Sequence, residues 1–289
     1  MAEQKAQVII IGGGPAGVSA ALYLARAGVR TTIIENGPGA LARAHKIDNY
    51  YGIAASGARL YAAGLEQAEA LGVSIRQDEV LSVEYTDSFT LSLKTTAEQL
   101  SAPALILATG TKNITLNLPG LVQLEGKGIS YCAVCDGFFF RKKQVAVLGS
   151  GAYALHEADY LRHLAQSVTI LTNGQSGEAA QSAGFDVKTA KLVQLNGDSR
   201  LTGISFDDGS TLEVDGLFIA MGTADSTDIA RKLGAQTNGR FIKIDTDGTT
   251  NIPGLFAAGD CTGGLLQVSK AVHEGAQAGL AALNFIRNK

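Results

Sequence analysis

Val8-Ile9-Ile10-Ile11-Gly12-Gly13-Gly14-Pro15-Ala16-Gly17 is the stretch that decides the fold. Its four β-branched residues run without polar alternation, as expected of a parallel strand buried on both faces. The glycines that follow have the spacing Gly-x-Gly-x-x-Gly. A helix is expected from Pro15 to about Ala27, with Val18, Ala21, Leu22 and Leu24 at helical spacing and Gly28 as the stop. A second strand, Thr31 to Ile34, ends on Glu35. Such glycines allow a tight turn and a close approach of pyrophosphate to the N–H groups at the helix start, and Glu35 is placed to accept hydrogen bonds from a ribose hydroxyl. The segment therefore reads as a βαβ unit for a dinucleotide.

The pattern occurs twice. Val145 to Leu148 is a second apolar strand, followed by Gly149-Ser150-Gly151-Ala152-Tyr153-Ala154, a helix through Leu161 and a strand from Val168 to Leu171. The offset, Gly12 onto Gly149, is 137 residues and holds without a gap to Asn36 and Asn173. Leu107 to Gly110 closes the first part of the outer fold, and Asn251 to Asp260 reopens it. The expected fold class is α/β, with two Rossmann-like dinucleotide-binding domains, the second inserted into the first. The expected boundaries are residues 1–114 with 244–289 for the outer domain and 115–243 for the central one.

Composition agrees. The 289 residues include 35 glycines and no tryptophan, which suits an α/β chain with many tight turns. A formal charge of −3 argues against nucleic acid as a partner. The only N-terminal apolar run is strand-length, and no segment approaches a membrane span, so a cytoplasmic location is the default expectation. There a pair of close cysteines is more plausibly catalytic than a structural staple.

That pair is Cys132-Ala133-Val134-Cys135-Asp136-Gly137. Two thiols three positions apart, followed by a carboxylic acid, are the parts of a thiol–disulfide exchange centre. One further cysteine, Cys261, excludes a four-cysteine zinc site, and His45, His156, His163 and His273 lack the usual short spacing, so no metal is expected. Phe138-Phe139-Phe140 reads as a core lead-in to the strand at Val145, with a docking patch as the alternative. Cys261 reads as a small buried residue.

These stretches, together with Ile47 to Gly52, Ala108-Thr109-Gly110 and Gly259-Asp260 with the Gly263-Gly264 turn, resemble those of low-molecular-weight thioredoxin reductases over nearly the whole chain. The resemblance implies an FAD-dependent disulfide reductase acting on thioredoxin or a similar small disulfide protein, and a homodimer. It implies that Gly12, Gly14, Pro15, Ala16 and Gly17 hold the FAD pyrophosphate and Glu35 the adenosine ribose. Ala108, Thr109 and Gly110 belong to the same site. Gly259 and Asp260 would meet the ribityl or pyrophosphate region, and Asn49 and Gln267 would lie near the isoalloxazine, although Asn49 also reads as a turn residue and Asp260 as a helix cap. A helix opening near Thr262 would place its positive end toward reduced flavin. By the same resemblance Cys135 faces the flavin, Cys132 attacks the partner disulfide and Asp136 is the general acid.

The departures lie mainly in the central domain. Thr172-Asn173-Gly174 stands where the family carries a His-Arg-Arg type motif, and Thr172 takes the place equivalent to Glu35. No lysine or arginine occurs from His163 through Val187, so the sequence offers a 2′-phosphate no local cation. Tyr153 adds bulk to the second glycine loop, and Leu266 replaces an arginine that often precedes the glutamine. NADPH and NADH are therefore doubtful donors, and a ferredoxin-type carrier is favoured. An NAD(P)H-dependent thioredoxin reductase with an unorthodox pocket and an FAD-dependent dithiol oxidase are the alternatives.

Overall fold

The structure is a computed structural model that describes residues 6–86, 90–111 and 116–289. The chain divides into two compact units, one from residues 1–112 and 225–289, the other from residues 113–224. No helix among the described residues is long and apolar enough to cross a membrane.

The first unit begins with β1 (Val8–Ile11), α1 (Pro15–Arg26) and β2 (Thr31–Glu35). Next come α2 (Gly57–Ala70), β3 (Ser74–Gln77), β4 (Val80–Tyr85), β5 (Leu91–Thr95), β6 (Gln99–Ala102) and β7 (Ala104–Leu107). The second unit contains α3 (Leu121–Leu124), β8 (Ile129–Ser130), α4 (Ala133–Asp136), β9 (Gln144–Leu148), α5 (Ala152–Arg162) and β10 (Ser167–Leu171). It continues with α6 (Glu178–Ser182), β11 (Asp186–Lys188), β12 (Leu192–Asn196), β13 (Gly203–Phe206), β14 (Thr211–Glu213) and β15 (Gly216–Ile219). The chain then returns to the first unit with α7 (Ser226–Lys232), β16 (Thr237–Asn238), β17 (Phe241–Ile242), β18 (Leu255–Ala257) and α8 (Val268–Arg287).

The two units share one plan. The first has a five-stranded sheet in the order β18-β7-β1-β2-β3, and the second has β8-β15-β9-β10-β11. Both sheets are parallel throughout. Each unit adds a three-stranded meander, β4-β5-β6 or β12-β13-β14. The equivalence is permuted at one edge: β18 is the last strand of its unit, whereas its counterpart β8 precedes the second glycine loop. Gly259-Asp260 and Cys132 thus emerge from corresponding positions, just past the carboxyl end of an edge strand, where open α/β sheets place their sites.

Buried Val8, Ile10, Leu24, Ile33, Ile106 and Phe256 form the core of the first unit. Helix α8 packs on α1 through small residues. A methyl group at Gly275 would stand 2.1 Å from the Ala16 carbonyl oxygen, so only glycine lets the helices approach this closely. The core of the second unit is built from Leu148, Leu171, Leu195, Ile204, Phe206 and Leu217.

Three expectations are corrected. The chain re-enters the first unit at Asp225 rather than at residue 244. Asp225 and Asp228 form a capping box that starts α7. The Ser226 and Thr109 hydroxyls lie 2.8 Å apart, and the Ser226 N–H donates to Thr109 Oγ1 at 2.9 Å, which ties this helix to the outer sheet. No α-helix opens at Thr262: Asp260–Thr262 is a 3-10 turn, and α8 starts at Val268. Phe138 and Phe139 are not core residues but are 67% and 70% exposed, and only Phe140 packs inward, edge-on against Phe218.

Candidate functional site

In the first unit the glycine loop joins β1 to α1. Gly12 has φ of +114°, and a methyl group there would stand 2.3 Å from the Ala108 carbonyl oxygen. A methyl at Gly14 would meet nothing within 4 Å, so the loop is open on the side where a pyrophosphate would approach. Gly14 caps α1 without a side-chain hydrogen bond, and Pro15 follows at the helix start. The first-turn N–H groups of this twelve-residue helix therefore have no side-chain acceptor from the cap. Glu35 ends β2 almost buried, with Oε2 accepting the Gly37 N–H at 2.7 Å and the Tyr61 hydroxyl. Burial first, and then Glu35 itself, push the Tyr61 phenol up. Glycine cradle, uncapped helix start and terminal carboxylate together fit the pyrophosphate and ribose of a dinucleotide.

Of the other expected residues, Ala108, Thr109 and Gly259 stand against this loop. Ala108 donates its N–H to the Ile11 carbonyl at 2.8 Å, and Gly110 turns the chain with φ of +74°. A methyl on Gly259 would stand 2.9 Å from the Ala16 side chain. Asn49 and Gln267, which are 218 positions apart, meet directly: Asn49 Nδ2 donates to Gln267 Oε1 at 2.9 Å. Asp260 is half-buried, and that burial pushes its carboxyl up, with Lys270 opposing and Glu274 reinforcing the shift. Sequence reasoning missed Lys270 and Glu274, although their spacing of four on a helix is a signal. Glu274 accepts the Gly259 N–H at 2.8 Å, while Lys270 donates to the Gly259 carbonyl at 2.8 Å and pairs with Glu274 at 2.9 Å. Gly259, the residue before Asp260, is thus held at both its N–H and its carbonyl.

In the second unit Cys132 and Cys135 form a disulfide. Cys132 is buried and caps the short helix α4; Cys135 is exposed. Ser130, at the end of β8, donates to Asp136 Oδ2 at 2.6 Å and accepts the Cys132 N–H at 3.1 Å. One hydroxyl therefore fixes both the acid and the first cysteine, a role that could not be read from the sequence. Cys261 is fully buried, and burial pushes its thiol up to about 12, so it takes no part in exchange at neutral pH. Ser130→Ala is expected to slow disulfide reduction about tenfold, the loss of one side-chain hydrogen bond to Asp136, with Ser130→Thr recovering most of it. Asp136→Asn, which removes the general acid that the family resemblance implies, is expected to slow it about 10²-fold or more. Stopped-flow turnover with unchanged flavin content checks both.

The second glycine loop keeps the backbone plan of the first. Gly149 has φ of +151°, and a methyl there would again stand 2.3 Å from a carbonyl oxygen, that of Ala220. Tyr153 is fully buried at the start of α5. At the end of β10 the Thr172 hydroxyl donates to the Gln175 carbonyl at 2.7 Å, and Asn173 Oδ1 accepts the Leu192 N–H at 3.0 Å. Gln175 also bonds the Ser150 hydroxyl of the glycine loop. The expectation of no local cation needs correction. β11 pairs beside β10 with Lys188 opposite Leu171, and the Lys191 stem lies against Gly174. Lys188 is engaged with Asp208 at 3.1 Å.

Duplicated parallel-sheet units, a dinucleotide-type glycine cradle and a two-residue-spaced disulfide define a flavoprotein-type disulfide oxidoreductase. The chain belongs to the pyridine nucleotide-disulphide oxidoreductase family, whose pattern matches residues 6–275. It is 35% identical over 274 residues to a thioredoxin reductase of Streptomyces coelicolor, covering 88% of this chain and 85% of that one. Among solved structures it resembles the atypical thioredoxin reductase TRi of Desulfovibrio vulgaris Hildenborough, with a TM-score of 0.92, 42% identity and 99% of each chain covered. A ferredoxin-flavin thioredoxin reductase of Clostridium acetobutylicum matches with a TM-score of 0.73, 28% identity and 99% of each chain covered. The resemblance to thioredoxin reductases inferred from the sequence is therefore confirmed.

Proposed function

We propose that the protein is an FAD-dependent thioredoxin-disulfide reductase whose electron donor is a ferredoxin-type carrier rather than NADPH. When bound, FAD supplies the electron pair that opens the Cys132–Cys135 disulfide. Gly12, Gly14, Pro15, Ala16, Gly17, Glu35, Ala108, Thr109, Gly110, Gly259 and Asp260 hold it, with Asn49 and Gln267 at its ring. Cys132 attacks the disulfide of thioredoxin, Cys135 resolves the mixed disulfide, and Asp136 delivers the proton. Exposed Phe138 and Phe139, immediately after the motif, offer an apolar face to a protein partner. A homodimer is part of the same reading.

The observation that carries the choice of donor is the Thr172–Gln175 turn. It occupies the place that Glu35 has in the first unit, carries no carboxylate, and spends its polar groups on Leu192, Ser150 and itself. A nucleotide ribose would have to break these bonds. Lys191 beside Gly174 favours the second reading, an NADPH-dependent reductase. Mixing anaerobic enzyme with excess NADPH or NADH and then with reduced ferredoxin, while following flavin absorbance, tests the two. Bleaching by ferredoxin but not by NADPH or NADH is expected. Fast bleaching by NADPH at micromolar concentration would establish the second reading. Bleaching by dithiols alone, reversed by air, would indicate an oxidase.

A further inference from the structure

Helix α5 carries Glu157, only 2% exposed and the most deeply buried carboxylate among the described residues. Its Oε2 accepts the N–H of Ala133 at 2.8 Å, with both groups buried. Ala133 opens α4 and lies between the two cysteines. Its N–H is one of the helix-start donors that have no partner within the helix, and such donors ordinarily favour a thiolate at the cap position. The Cys135 N–H points to Cys132 Sγ at 3.1 Å, and the Asp136 N–H donates to the Cys132 carbonyl at 3.1 Å. A buried acceptor cannot readily be exchanged for water, so breaking the Ala133–Glu157 bond would leave a buried N–H unpaired.

We propose that Glu157 is a positioning residue that sets the redox poise of the Cys132–Cys135 pair. It holds the Ala133 N–H and puts negative charge beneath the start of α4. Negative charge at a helix start works against a thiolate there and so favours the disulfide. A pair that favours its disulfide is the stronger reductant, which is what electron transfer onward to a partner disulfide requires. Asp136, held through Ser130, is the other carboxylate at the motif, and it lies at the opposite end of α4 from Ala133.

The proposal rests on the disulfide reductase reading, and its test separates the two. The FAD-loaded wild type, Glu157→Gln and Glu157→Ala are equilibrated anaerobically in glutathione buffers, quenched in acid, and the thiols of Cys132 and Cys135 are counted by labelling and mass spectrometry. As the Cys132–Cys135 bond opens it takes up two electrons and two protons, and two glutathione thiols become one glutathione disulfide. Gln keeps the acceptor oxygen and removes the charge, whereas Ala removes both. Glu157→Gln is expected to shift the exchange constant about tenfold toward the dithiol, about 30 mV for this two-electron couple. Glu157→Ala is expected to shift it the same way and at least as far. Exchange constants within about twofold of wild type in both variants would overturn the proposal and leave the reductase reading standing. A wild-type pair that exchanges with neither glutathione nor thioredoxin would overturn the reading and the proposal with it.

Discussion

Replacing either Cys132 or Cys135 by serine is expected to abolish reduction of a protein disulfide, leaving the flavin bound and reducible. Exchange needs one sulfur to attack and a second to release the mixed disulfide, and Cys261, buried with its thiol raised, cannot substitute for either. Turnover should fall by about 10³-fold or more, to the background of direct thiol exchange. The two variants also decide which sulfur attacks. The resemblance assigns attack to Cys132, yet Cys132 is buried and Cys135 is the exposed member of the pair. If Cys132 attacks, Cys135→Ser will trap a stable mixed disulfide with thioredoxin and Cys132→Ser will not. The reverse result would give the attacking role to the exposed sulfur. Labelling of the reduced, folded wild type should count two reactive thiols, and denaturation should reveal the third.

The second large effect concerns the first glycine loop, where two neighbouring substitutions are expected to act differently. Gly12→Ala forces a side chain into φ of +114° and drives a methyl to 2.3 Å from the Ala108 carbonyl oxygen. Neither strain can be relieved by a side-chain rotation, because the clash is with backbone. A loss of roughly 3 kcal/mol in unfolding free energy is expected, together with loss of FAD. Gly14→Ala has extended backbone at φ of −75° and open space around the new methyl. Its stability should stay within about 0.5 kcal/mol of wild type. FAD retention should nevertheless weaken about tenfold or more, since in the proposed site the methyl stands where the pyrophosphate approaches the helix start. Urea midpoints of the apoprotein and the flavin-to-protein absorbance ratio read these two quantities separately. Equal loss of stability in both variants would contradict the assignment of Gly14 to ligand approach.

The repeated strand–glycine–helix–strand pattern was legible because its determinants are local. Val8–Ile11 and Val145–Leu148 lie in strands interior to their sheets and are buried on both faces, so their apolar runs are continuous. The glycine requirement at Gly12 and Gly149 comes from the turn itself, and the 137-residue offset joins the two copies. The disulfide was legible for the same reason, since a spacing of three brings two cysteines together on a single turn of chain. These features determined an α/β disulfide oxidoreductase with two dinucleotide-type units, before any packing was known.

What the sequence could not hold is every decision made by partners far apart along the chain. The return to the outer unit at Asp225 depends on Ser226 meeting Thr109, 117 positions away. The cation-free stretch after β10 is bordered in space by Lys188 and Lys191, because β11 pairs beside β10 with Lys188 at its end and the chain that follows lays Lys191 against the turn. Phe138 and Phe139 read as core from their apolar character, but only packing could leave them exposed. The Asn49–Gln267 contact and the Glu157–Ala133 bond join groups with no local pattern connecting them. Hydrophobic periodicity reports which face of an element is buried and what turn follows it. Which strand lies alongside, and which buried carboxylate meets which N–H, is settled by the closing of the sheets and the docking of helices on them.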